Sequence, residues 1–194
     1  MSSKRVRHMA VGRSLVVGLL CCLSASCGSD ITGDDCCSDL PGGDSPTLTD
    51  LLGTVLYTAD GSQTGLLPIQ TKDVIGIYFA SRSCPACGAF TSELVAVYDE
   101  IRGAGKSFEI VLASVDPPAV DLSAYMTQYA MGWLALPLGS VKITELITRY
   151  DVEWIPTLIV VGSSGKTITK TGYEDVLMRG ASAFDIWRAA SPAP

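Results

Sequence analysis

Cys84-Pro85-Ala86-Cys87 sets two thiols three residues apart, directly after the apolar stretch Val74–Ala80 and the polar step Ser81-Arg82-Ser83. At the start of a helix this spacing places both sulfurs on one face, close enough to form a disulfide. Pro85 suits the first helical position, because the N–H it lacks has no partner there anyway. The free N–H groups and the dipole at that helix end favour the Cys84 thiolate over its thiol. Thiolate is the species that attacks disulfides. The expected chemistry is therefore dithiol–disulfide exchange, with Cys84 as the exposed attacker and Cys87, one turn deeper, as the resolving thiol.

The same four residues also fit half of a zinc site or a purely structural disulfide. Zinc normally takes four N or S ligands. The single histidine, His8, lies in a segment expected to be removed, and the neighbours Cys36 and Cys37 match no common zinc spacing. No metal is expected. Nicotinamide fingerprints and phosphate-cradling glycine loops are absent as well, so no cofactor is expected and electrons must arrive by thiol exchange with a partner.

The elements around the cysteines follow from periodicity. Val55-Leu56-Tyr57 and Leu66-Leu67-Pro68, separated by Asp60-Gly61, read as a small hairpin. Val74–Ala80 has the continuous apolar character of a strand buried on both faces. Phe90, Leu94, Tyr98 and Ile101 then recur at helical spacing until Gly103 and Gly105. Phe108–Val115 repeats the buried-strand pattern. Leu122–Tyr129 and Val141–Tyr150 read as helices. Trp154–Val161 reads as a strand opened by Pro156, turning at Ser163-Ser164-Gly165-Lys166 into Thr167–Lys170, and a last helix spans Ala181–Ala190. The order βαβαββα describes one α/β layered domain, residues 51–194.

Residues 1–26 carry Lys4, Arg5, Arg7 and Arg13 without an acid, then the apolar run Leu15–Leu23, then Ser24-Ala25-Ser26. That pattern is a secretory signal. The apolar run is short for a membrane span, which needs about 20 residues. Leu23-Ser24-Ala25-Ser26-Cys27 resembles the bacterial lipobox, with its leucine one position farther from the cysteine than usual. This implies lipidation of Cys27 and attachment to a bacterial envelope membrane; ordinary cleavage near Ser26 and release into the periplasm is the alternative. Losing the leader removes four positive charges and no negative ones, so the net charge of −6 falls to −10. Nucleic acid, which needs a basic footprint, is excluded as a partner. Residues 27–50 contain six aspartates and no basic residue among Gly, Ser, Pro and Thr, the composition of a disordered spacer. Cys36 and Cys37 within it are either idle tether thiols, an intermolecular bridge, or a second pair that relays electrons. Outside the inner membrane thiols meet oxidising machinery, so a reductase there needs an upstream thiol donor.

Four segments, in order, resemble the thioredoxin superfamily and within it the tryparedoxin and nucleoredoxin branch: Tyr78-Phe79-Ala80-Ser81 before the cysteines, Ala89-Phe90-Thr91-Ser92-Glu93-Leu94, Trp133-Leu134-Ala135-Leu136-Pro137, and Ile155-Pro156-Thr157. The resemblance implies a thioredoxin fold, a central mixed β-sheet flanked by helices, with the Cys-x-x-Cys at a helix N-terminus and a cis Pro156 facing it across a shallow groove. Backbone beside such a proline can pair with an extended substrate. Trp154 is a candidate for lining that groove, whereas Trp133 reads as core. Tyr78 stands where ordinary thioredoxins keep a buried acid; it is either a core residue or a hydroxyl placed near Cys87. The chain departs from the branch at Ser83, where an aromatic is usual, at Ala86 and Ser92 in place of prolines, and at Gly88 in place of a basic residue. Arg82 is a substitute cation or a solvated loop residue.

These observations together imply an exported thiol–disulfide oxidoreductase that reduces disulfides of other envelope proteins. The alternatives are a disulfide donor using the same site, a peroxidase acting through Cys84, a metal chaperone, or a redox-inactive binding module.

Overall fold

The computed structural model describes residues 46–191. The Thr47 hydroxyl accepts from the Asp50 N–H (3.2 Å) while the Asp50 carboxylate accepts from the Thr47 N–H (2.9 Å). This reciprocal cap starts α1, Leu48–Leu52, which buries Leu48, Leu51 and Leu52. The expected spacer therefore runs too far: Asp50 belongs to a packed helix, because an acid at the third helical position caps as well as it solvates.

Strand β1, Leu56–Tyr57, pairs antiparallel with β2, Gln63–Thr64, and the chain then enters the short helix α2, Leu67–Gln70. The hairpin exists, but its second arm lies earlier than Leu66–Pro68. Pro68 sits at the helix start, where its fixed φ is favourable, and Ile69 is the residue buried. Strand β3, Val74–Ala80, leads into α3, Pro85–Gly103, and β4, Phe108–Ser114. Helix α4, Leu122–Gln128, and strand β5, Leu134–Ala135, follow, then α5, Val141–Tyr150. The chain closes with β6, Thr157–Gly162, β7, Thr167–Thr169, α6, Gly172–Arg179, a 3₁₀ turn at Gly180–Ser182 and α7, Ala183–Ala190. Strand β5 and helix α6 are additions to the expected order, and α7 starts two residues later than expected.

The sheet order is β2-β1-β5-β4-β3-β6-β7, with β3, β4 and β5 parallel and the remaining pairs antiparallel. All residues of β3 and β4 are buried, as central strands covered on both faces require. Val74, Tyr78 and Ala80 face a core shared with Phe90, Leu94 and Tyr98 of α3 and Trp187 of α7. Ile75, Ile77 and Phe79 face the opposite core, with Leu51 of α1 and Ile143, Leu146 and Tyr150 of α5. Each fully buried side chain of this size contributes about 1.5–3 kcal/mol. Two cores thus hold β3 in place, and the loop at its C-terminal end inherits that rigidity.

Candidate active site

At that end the chain turns sharply. The Cys84 N–H donates to the Ser81 carbonyl (3.2 Å), closing a turn over Ser81-Arg82-Ser83-Cys84. Cys84 has extended backbone (φ −93°, ψ 110°) and is the N-cap of α3; Pro85 occupies the first turn as anticipated. The Cys84 sulfur accepts from the Cys87 N–H at 3.1 Å, so a backbone donor of the helix end is spent on this atom. Cys84 and Cys87 are joined as a disulfide with a Cα–Cα distance of 5.2 Å. Their surroundings differ: Cys84 is partly accessible, whereas Cys87 is 0 % exposed within the α3 core. A thiolate at Cys84 keeps the helix-end donor and access to a partner; a thiol at Cys87 is reachable only from Cys84.

Beneath Cys87 lies a patch of hydroxyls. Thr91 donates to the Cys87 carbonyl (2.7 Å), and with that proton committed the Tyr78 phenol donates to Thr91 Oγ1 (2.8 Å), its distance to the Cys87 carbonyl being 3.3 Å. Burial pushes the Tyr78 hydroxyl up to about 12, opposed by the Thr91 hydrogen bond. Tyr78 is thus both a core residue and a donor near Cys87, and it stays protonated at neutral pH. It does not replace a titrating acid. The Tyr125 hydroxyl is buried nearby without a hydrogen-bond partner among the described residues, and its burial likewise raises its pKa.

Strand β6 runs antiparallel to β3 with Thr157 opposite Phe79, so Pro156, the preceding residue, reaches the same end of the sheet as the cysteine turn. The Ile155–Pro156 peptide is cis. Trp154 is 68 % exposed, and Trp133 is buried among Tyr78 and Tyr98. Trp154, Pro156, Thr157, Tyr173 and Glu174 help line a groove of about 240 Å³. Neither cysteine lines it, so the groove does not contain the disulfide. A larger groove, about 520 Å³, lies between α1 and α5 and holds neither cysteine nor Pro156.

Two departures from the expected pattern acquire reasons. A Cβ at Gly88 would meet the Tyr129 hydroxyl at 2.6 Å, so the basic side chain usual in the branch has its space taken by a phenol. Arg82 is exposed, and its side chain makes no hydrogen bond or ion pair among the described residues; its backbone N–H is what matters, donating to Asp116 at 2.7 Å. Asp116, just after β4, and Thr91 escaped the sequence reading. An acid at the end of a parallel strand beside the cysteine-bearing one was the available signal. Cys27, Cys36 and Cys37 lie outside the described residues, as does the leader.

The site is a dithiol–disulfide pair at a helix N-cap, with a cis-proline strand at the same sheet end, on a thioredoxin fold. A family model described as thioredoxin-like matches residues 72–167. A thioredoxin from Wuchereria bancrofti superposes with a TM-score of 0.61 at 35 % identity, over 72 % of this chain and 97 % of that one. Tryparedoxin I from Leishmania major gives a TM-score of 0.60 at 29 % identity, over 68 % and 89 %. Among curated sequences, probable nucleoredoxin 1 of Arabidopsis thaliana is 34 % identical over 125 residues, and nucleoredoxin of Mus musculus 36 % over 104. Those alignments take in 64 % and 53 % of this chain but only 21 % and 23 % of the nucleoredoxins, so the chain spans less than a quarter of the length of each in the match. The chain belongs to the thioredoxin superfamily of thiol–disulfide oxidoreductases, in its tryparedoxin and nucleoredoxin-like branch.

Proposed function

We propose that this protein is a protein-disulfide reductase. The observation that carries the reading is the asymmetry of the pair: Cys84 caps α3 with its sulfur on the Cys87 N–H and is partly accessible, while Cys87 is sealed beneath it. In the reduced protein the Cys84 thiolate attacks one sulfur of a substrate disulfide, and the departing substrate thiolate takes up a proton. Extended substrate beside Pro156 and Trp154 keeps the mixed disulfide in place. Cys87 then loses its proton and attacks the Cys84 sulfur; the second substrate thiolate leaves and is protonated. Two electrons pass to the substrate, and a dithiol donor protein returns them by the same exchange.

Turnover of insulin with dithiothreitol tests this. The parent protein reduces insulin faster than dithiothreitol alone, and Cys84→Ser does not. Parent turnover equal to that of both Cys84→Ser and Cys87→Ser overturns the reading in favour of a binding role. Direction is read from the potential of the pair. A value near about −270 mV supports reduction, and one near about −120 mV means that the site donates disulfides instead.

Export belongs to the same proposal. Its support is the basic start, the apolar run Leu15–Leu23 and the small residues before Cys27. Mass spectrometry of the protein from a bacterial envelope fraction tests it: a chain beginning at a diacylated Cys27 supports anchoring, and one beginning at an unmodified Cys27 supports release. An intact residue 1–26 segment in a cytosolic fraction overturns export.

A further inference from the structure

A buried carboxylate stands behind the turn that carries Cys84. Asp116 is 7 % exposed and forms no salt bridge among the described residues. Its Oδ1 accepts from the Ser81 hydroxyl at 2.6 Å; its Oδ2 accepts from the Arg82 N–H at 2.7 Å and the Ser114 hydroxyl at 2.8 Å. With the Ser81 proton spent on Asp116, Ser81 Oγ accepts in turn from the Ser83 hydroxyl (2.9 Å) and the Ser83 N–H (3.2 Å). One acid therefore gathers all three residues between β3 and Cys84. Two of the bonds reach the backbone of the turn itself, at Arg82 and Ser83.

Burying an anion with neutral partners alone is costly, and here the cost is offset by three charge-assisted bonds. A carboxylate meets three donors at once because it accepts without donating. The reach of the turn is short. Its closing bond ends on the Cys84 N–H, and the Cys84 sulfur must hold its place over the Cys87 N–H for the helix end to stabilise the thiolate.

We infer that Asp116 is the positioning residue of this site: by clamping Ser81 and Arg82 it seats the Cys84 sulfur on the N-terminus of α3. The inference rests on the reading of Cys84 as the reactive thiolate. Charge and geometry act in opposite directions here. Removing a nearby negative charge by itself stabilises a thiolate and lowers the Cys84 titration midpoint. Loosening the turn withdraws the helix-end donor and raises it toward the free-cysteine value of about 8.5. The sign of the shift therefore separates the two.

The test is the pH dependence of iodoacetamide alkylation in the fully reduced protein, followed on the Cys84 peptide by mass spectrometry. In Asp116→Ala the midpoint rises by about one unit, roughly a tenfold loss of thiolate below the midpoint. Asp116→Asn, which keeps the shape and one acceptor oxygen, rises less, and Ser81→Ala, which leaves the carboxylate in place, also rises. Arg82 in the turn, Tyr78 in β3, Tyr129 after α4, Glu153 before Pro156, and Tyr173 and Glu174 in α6 are the same in every variant, so none contributes to the difference. Circular dichroism identifies any variant that does not fold, and those that do fold decide the matter. A midpoint that stays or falls in them overturns the proposal. A parent midpoint already at about 8.5 instead overturns the reading of Cys84 on which the proposal rests.

Discussion

The two cysteines are three residues apart in sequence and occupy opposite environments. Above, the Cys84 sulfur accepts from the Cys87 N–H, and the turn that carries it is held by the Ser81 and Ser83 hydroxyls and the accepting carboxylate of Asp116. Below, Cys87 belongs to a core of Phe90, Leu94 and Trp133, with the Thr91 hydroxyl donating to its carbonyl and the Tyr78 phenol donating in turn to Thr91. The upper environment stabilises an anion, and the lower one penalises it. On the proposed reading a pair built this way has a built-in order, with the accessible Cys84 as the sulfur that ionises and meets the substrate.

Exchanging the cysteines one at a time breaks this comparison most severely. Cys84→Ser lowers insulin reduction by at least about a hundredfold, since among the described residues no other accessible cysteine is present. Cys87→Ser leaves attack intact and removes release, so a Cys84-linked mixed disulfide accumulates and is visible as a mass adduct. Accumulation of the adduct on Cys87 in Cys84→Ser at a similar rate would show the two sites to be equivalent.

Next in size is the packing against the first turn of α3. Gly88→Arg pushes a side chain into the Tyr129 hydroxyl, with an expected loss of about 1–3 kcal/mol in urea unfolding. Combining it with Tyr129→Ala returns much of that loss, whereas strict additivity of the two changes would show that they do not share the space. Thr91→Val, close in shape, removes the hydroxyl bond to the Cys87 carbonyl and costs about 1 kcal/mol, with little effect on the alkylation profile of Cys84.

The smallest effect appears only in alkali. Tyr78 titrates near 10 in the unfolded chain and about 12 when folded, so the native state holds its proton more tightly. Its contribution is fully present below about pH 10 and is lost between 10 and 12. Tyr98 and Tyr125 are shifted in the same direction. Stability measured against pH therefore declines above about 10, and less steeply in Tyr78→Phe; parallel curves for the two proteins would place the phenol outside the buried patch.

Much of this architecture was legible in the residues. Val74–Ala80 is an unbroken apolar run, Phe108–Ser114 is apolar apart from Glu109 and Ser114, and a helix with Phe90, Leu94, Tyr98 and Ile101 on one face packs that face against them. Other parts were hidden because their signal is ambiguous locally. Leu66-Leu67-Pro68 has strand-like composition, yet proline favours the first turn of a helix equally, and tertiary packing of Ile69 decided for helix. Helix α6 begins with glycine and carries exposed Leu177 and Met178, so its apolar face is blurred. Asp116 carried only a faint signal, an acid at a strand end, since its meaning depends on β4 ending beside the Ser81–Cys84 turn, a fact of sheet order and not of sequence distance.

The central claim is that ionisation is concentrated on one of two neighbouring sulfurs. The direct measurement is alkylation of the reduced parent protein as a function of pH, with both cysteine peptides quantified separately. The account predicts a Cys84 midpoint well below about 8.5 and a Cys87 that stays unmodified over the same range. Midpoints for both sulfurs at about 8.5, or equal rates of modification, would contradict it.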